Sequence, residues 1–156
     1  MPHLRSKPVK ASRVEMTELV IPTDTNRMGN LLGGRLMHWM DIAAAIAASR
    51  HTNRLCVTAS VDGLHFHHPV KQGEVVILQA SVNRVFNTSL EVGVRVVKED
   101  TLTGKRKHTN TAYLTFVAID ENGRPVTARP VRPVTKVEKR RYRDAARRRR
   151  LRLLHR

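Results

Sequence analysis

From Leu36 to Ala48 the chain reads LMHWMDIAAAIAA, with almost no polar positions. The run predicts a helix from Gly34 to Arg50 that is apolar on nearly every side. Such a helix is expected to be buried all round. It is too short and too rich in alanine for a membrane span, which needs about 20 strongly apolar residues. Elsewhere the pattern has the period of strands. Val14, Met16, Leu19 and Ile21 predict a strand over 13–21, which Pro22 ends. Leu55, Val57, Ala59 and Val61 alternate with Thr58, Ser60 and Asp62, predicting a strand that runs toward Leu64 and Phe66. EVVILQASVNRVF, residues 74–86, is β-branched and free of glycine. Asn87-Thr88 reads as a turn into a strand from Ser89 to Val97, and a last strand covers Asn110 to Ile119 before DENG. One strand, one helix and four strands without alternating helices predict an α+β fold, its antiparallel sheet folded round the helix.

Beyond residue 124 the periodicity fades. Pro125, Pro130 and Pro133 punctuate an extended strap. VEKRRYRDAARRRRLRLLHR then reads either as a basic helix or as a solvated, partly disordered extension. Charge sharpens this division. The 156 residues carry a net +16, but thirteen Lys/Arg against Glu138 and Asp144 put +11 of it after residue 128. The remaining sixteen against eleven leave +5, so a mildly basic body bears a strongly basic extension. Expected boundaries are a mobile arm over 1–12, one folded domain over 13–128 and the extension over 129–156. The arm, MPHLRSKPVKASR at its start, has no apolar core of a secretory leader, which with the single Cys56 suggests a reducing, cytoplasmic setting. Cys56 lies in an apolar run and reads as core. Polyanion binding through charge alone is possible for the extension. Nucleic acid is disfavoured, because only Tyr142 there offers a stacking surface.

Candidate chemistry gathers round the apolar run. Asp41 is its lone carboxylate, and a carboxylate at a buried position must be paired, protonated or at work. Gly33-Gly34 opens the helix, where free N–H groups and the positive end of the helix dipole suit an anionic oxygen. Asn26, in the polar loop before it, reads from its residues alone as a loop or cap position. His65, His67 and His68 lack a completing Cys or Glu, and in a strand His68 would point away from the other two, so a metal is not expected. No P-loop, dinucleotide-binding glycine pattern or GxSxG elbow is present.

These residues carry a resemblance. DTNRMGNLLGGRLMHWMD (24–41), VTASVDGLHFHHPVKQGEVV (57–76) and AYLTFVAIDENG (112–123) resemble hotdog-fold acyl-CoA thioesterases of the bacterial and brain acyl-CoA hydrolase group. The resemblance spans about Val14 to Val126 and implies a five-stranded antiparallel sheet wrapped round one long helix. It further implies homodimers, commonly gathered as a trimer of dimers, with active sites shared across the dimer interface. The activity implied is hydrolysis of acyl-CoA to a free acid and coenzyme A, the thioester being substrate and no cofactor being needed. By position in the motifs, Asp41 and Asn26 are the implied catalytic pair. Gly33 and Gly34 would offer backbone donors to the oxyanion. Thr88 and Ser89 match the hairpin that lies near the nucleotide in similar proteins. His68, Lys71, Arg84 and Arg95 are candidate partners for the rest of coenzyme A and its phosphates. The acyl chain is expected near Trp39 and Met40. Leu32 stands where relatives often carry His or Phe, which removes one polar partner. A second reading is a non-catalytic acyl-CoA-binding sensor with a polyanion-binding tail. A third is a related hydrolase acting on an acyl-carrier-protein thioester.

Overall fold

The structure, a computed structural model, describes residues 4–155. Strand β1 (Lys7–Pro8) leads into a 3-10 turn over Val9–Ser12 and strand β2 (Val14–Leu19). Helix α1 spans Gly33–Thr52, followed by β3 (Leu55–Val61), β4 (Val75–Val85), β5 (Ser89–Glu99) and β6 (Arg106–Ile119). A short β7 (Val131–Arg132) precedes helix α2 (Lys136–Leu154). Five strands form one antiparallel sheet in the order β2-β4-β5-β6-β3. The expected α+β fold is present, a curled antiparallel sheet round one long helix. The chain passes from β3 at one edge to β4 across the sheet, so only β4–β5 and β5–β6 are hairpins.

α1 packs on the inner face. Leu36, Trp39, Met40, Ala43, Ala44, Ala47, Ala48 and His51 recur at helical spacing and are buried against Val76, Leu78, Val82, Leu90, Val92, Val94, Leu114 and Phe116. The alanines let the helix approach the large strand residues closely. Burial all round, however, is not what the chain shows. Met37, Ile42 and Ile46 on the far face of α1 are exposed, since the sheet covers a single side of the helix. Asn53, at φ 54°, ends α1 in the left-handed region, a conformation asparagine tolerates.

The segment read as a mobile arm is docked from Lys7 onward. Lys7 and Pro8 pair in parallel with Val131 and Arg132, Val9 is buried, and Lys7 Nζ donates to the Arg50 carbonyl at 2.9 Å. Ser12 Oγ accepts from Val82 N–H at 2.9 Å, beside a register shift in β4. It thereby satisfies an amide at the irregularity, which gives the docking a physical reason. Met1–His3 lie outside the described residues.

The extension is a helix. Thr135 and Glu138 form a reciprocal capping box, with Thr135 Oγ1 accepting from the Glu138 N–H at 3.1 Å. α2 lies on the outer face of the sheet, opposite α1. There Glu91 is fully buried, and Arg148 meets it with two hydrogen bonds of 3.0 and 2.7 Å. Asn83 Nδ2 donates to the same carboxylate at 2.9 Å, and Gly93 leaves the space that Asn83 occupies. The Arg148 guanidinium lies 3.6 Å from the Tyr113 ring centroid, while Arg84 stacks on Tyr142 at 3.9 Å.

Candidate active site

Asp41 sits on α1, on the flank facing edge strand β3. Thr58 Oγ1 donates to Asp41 Oδ1 at 2.6 Å, so one carboxylate oxygen is held and the other is left to accept from a reacting group. Both line a pocket of about 280 Å³ with Gly34, Met37, His38, Met40, Val61 and Leu114. It is mostly apolar with a few convergent polar groups, the usual make-up of a small-molecule site. Thr58 escaped the sequence reading, which placed it opposite an apolar face of Leu55, Val57, Ala59 and Val61. Instead, a register shift between Thr58 and Ser60 inserts one residue against β6. Thr58 opposes core residue Phe116 and Val61 opposes core residue Leu114, so both face inward, while Leu55 and Val57 are exposed on the outer side. Nothing short of the pairing with β6 reveals that inversion.

Gly33 and Gly34 form the first turn of α1. The Leu32 carbonyl accepts from Arg35 and Leu36, leaving the two glycine N–H groups without an acceptor in the first turn. A Cβ on Gly33 would stand 3.3 Å from the Phe66 ring, whereas one on Gly34 would enter open space at the pocket. Gly33 is thus required for close approach, and Gly34 keeps the pocket mouth clear.

Asn26 does not reach Asp41 within the chain. Its Oδ1 accepts from Met28 N–H at 2.9 Å and Asn30 N–H at 3.2 Å, forming a turn that presents Nδ2 outward. The loop is joined to the His68–Lys71 region by Leu31 N–H to the Val70 carbonyl at 2.7 Å and by a bridge between Asn30 and Lys71. His68 is half-buried and Lys71 exposed there, at the same end of the molecule as the α1 N-terminus. His65 and His67 stack 6.0 Å apart in an irregular stretch rather than a strand. Among the described residues no group of three His, Cys, Asp or Glu is placed to hold a metal.

The remaining candidates are dispersed. Arg84 is engaged by α2, donating to the Tyr142 carbonyl at 3.1 Å. Ser89 Oγ accepts from Arg149 at 3.4 Å, and the Thr88 carbonyl accepts from Ala118 N–H at 2.9 Å. Arg95 lies on the outer face in a groove of about 720 Å³ between α2 and the sheet, with Arg13, Arg140, Arg141 and Glu15 among its walls. None of these four shares the pocket of Asp41 in the single chain.

A curled sheet round a helix, with a carboxylate and a glycine-opened first turn at an apolar pocket, defines a hotdog-type thioesterase. Residues 28–105 match the Thioesterase superfamily, and the chain belongs to that family. It is 45% identical over 129 residues to the uncharacterized acyl-CoA thioester hydrolase YkhA of Bacillus subtilis, covering 83% of this chain and 75% of that protein. It is 43% identical over 144 residues to acyl-coenzyme A thioesterase 11 of Mus musculus, covering 92% of this chain but only 24% of the mouse protein. Among solved structures, an apo-hexameric acyl-CoA thioesterase superposes with a TM-score of 0.94 at 39% identity, over 97% of each chain. An acyl-CoA hydrolase from Staphylococcus aureus, in complex with butyryl coenzyme A, coenzyme A and coenzyme A disulfide, superposes with a TM-score of 0.88 at 35% identity, over 96% of this chain and 93% of that one.

Proposed function

We propose that this chain hydrolyses acyl-CoA to a carboxylic acid and coenzyme A, with Asp41 as general base. The observation that carries this reading is the Asp41–Thr58 pair at the mouth of an apolar pocket. With one oxygen held by Thr58, the other is directed at a water, from which it takes a proton as that water attacks the thioester carbonyl. Negative charge then develops on the carbonyl oxygen. The N–H groups of Gly33 and Gly34, at the positive end of α1, are suited to receive it; one such donor is worth about 2.7–4 kcal/mol elsewhere. Collapse of the tetrahedral intermediate breaks the C–S bond and releases coenzyme A as the thiolate, to which Asp41 can return the proton. Met37, Met40, Val61 and Leu114 supply apolar surface for the acyl chain.

Asn26 acts in this reading from a second protomer. Its outward Nδ2 and its separation from Asp41 within the chain support that, as do the exposed Met37, Ile42, Ile46, Leu55 and Val57 on either side of the free edge of β3. The assembly is accordingly a homodimer or a trimer of dimers. His68 and Lys71, close to the helix entrance, are the better placed of the candidates for coenzyme A contacts. Arg84, Ser89 and Arg95 would serve only if a neighbouring protomer brought them to the site.

The test is thiol release from acyl-CoA substrates of graded chain length, run beside Asp41→Asn. Prompt release that falls at least about a hundredfold in the variant supports the reading, the scale expected of a general base. Binding without release by the unaltered protein would leave a sensor as the better description.

A further inference from the structure

β3 is an edge strand with a single neighbour, and its inserted residue falls between the two positions that line the pocket, Thr58 and Val61. A strand so interrupted needs its far end held, or the residues after the bulge lose their register. Two contacts meet at that end. The Asp62 N–H donates to the Tyr113 carbonyl at 2.9 Å, continuing the ladder with β6. The Asp62 carboxylate accepts from Arg152 Nη1 at 2.8 Å, both side chains being mostly covered.

Arg152 belongs to the last turns of α2, on the opposite side of the sheet from Asp41. It is itself anchored. Its guanidinium lies 3.7 Å from the buried Glu91 carboxylate, which Arg148 grips bidentately while stacking on Tyr113. Tyr113 thus receives the helix on its ring and the end of β3 on its carbonyl. Beyond Asp62 the chain runs without regular structure to Pro69, and within it Phe66 packs over Gly33 in the first turn of α1. Asp62 is the point between the pocket residues Thr58 and Val61 behind it and, ahead, the loop whose Phe66 packs on Gly33 at the helix entrance.

We infer that Arg152 and Asp62 are positioning residues for thioester hydrolysis, through which the basic C-terminal helix holds β3 and the Phe66 loop in register with Asp41. This rests on the hydrolase reading. The pair does not touch the reacting atoms; it sets where Thr58 and the helix entrance stand. A helix that merely added stability would affect unfolding and leave turnover unchanged at temperatures where the protein stays folded.

The experiment compares Arg152→Met, Asp62→Asn and the double variant in the full chain, well below their unfolding temperatures. Each single variant is expected to lower kcat about tenfold with little change in KM, short of the roughly hundredfold that a 1 Å misplacement can cost. The double variant should fall no further than either single one, and Arg152→Lys should recover part of the loss. Hydrogen exchange gives a readout independent of turnover: the Asp62 amide should lose protection in Arg152→Met. Wild-type kcat and exchange in Arg152→Met, with only a lower Tm, would overturn the inference. So would losses that multiply in the double variant. If the unaltered protein releases no thiol, the hydrolase reading fails, while exchange at Asp62 still decides whether Arg152 holds the strand.

Discussion

Thr58 shows how little chemistry separates a strand residue from a site residue. Its hydroxyl has no role until the inserted residue in β3 turns it toward Asp41, where it holds one carboxylate oxygen at 2.6 Å. Thr58→Val keeps the shape and removes the donor. It is expected to lower kcat by about tenfold or more while leaving unfolding within about 1 kcal/mol of wild type, since one hydrogen bond contributes about that much. Steady-state kinetics beside urea unfolding checks both. His51 makes a different point about burial. It is completely covered, and its Nε2–H donates to the Arg129 carbonyl at 2.8 Å. Burial lowers its pKa, the Arg129 carbonyl partly opposing that shift, with the charges of Lys7 and Arg129 adding to the lowering. The unfolded chain therefore binds this proton more readily than the folded one. His51 should cost no stability above its unfolded value of about 6.5 and should erode stability as pH falls from there through the folded pKa. His51→Gln should flatten that part of a Tm-against-pH curve, whatever its effect at pH 8.

At the scale of elements, α2 is the largest departure from a plain reading of composition. A stretch with nine arginines between residues 140 and 156 looks destined for solvent. It is instead fastened chiefly by Glu91, a fully buried carboxylate on the outer face of the sheet. Removing Arg148 leaves Glu91 buried without its main counter-charge, which is expected to cost about 3–5 kcal/mol. Arg148→Met measured by urea unfolding tests this, and Glu91→Gln in the same background should restore part of the loss. The start of α2 carries a local signal that the sequence reading missed. Thr135 and Glu138 stand at capping-box spacing, and this is a signal the charge run conceals. α1 was legible in length but not in setting: a helix apolar nearly all round in sequence is covered on one side by its own sheet, and its other apolar face remains exposed.

For the whole molecule, the exposed apolar residues flanking the free edge of β3 and the outward-facing Asn26 point to a site completed by a second copy. Complementation distinguishes this from a self-contained site. Asp41→Asn and Asn26→Ala should each be nearly inactive alone. Coexpressed, they form hybrid dimers in which one of two sites carries both intact residues, so activity of about a quarter of wild type is expected from random pairing in a two-fold dimer. No recovery despite hybrid formation, checked by mass, would place Asn26 and Asp41 in the same protomer's site or remove Asn26 from the chemistry. Val57→Arg, at the strand edge, should shift the assembly toward monomer in sedimentation and lower activity with it.

Local order along the chain was enough for the order of the five sheet strands and α1, the lone carboxylate and the glycine pair at the helix entrance, because periodicity and backbone freedom are properties of neighbouring residues. It was also enough, through three motifs, for the thioesterase resemblance. Four things depended on contacts between distant residues. The inward face of β3 was inverted by an insertion visible only against β6. Ser12 and Lys7 became structural by meeting a bulge in β4 and the end of α1. Arg84 and Arg95 were drawn to the outer face with α2, away from Asp41. Asp62 found Arg152 ninety residues away. Hydrophobic period sets which segments form elements; pairing register and the burial of charges, both long-range, decide which side chains those elements bring together.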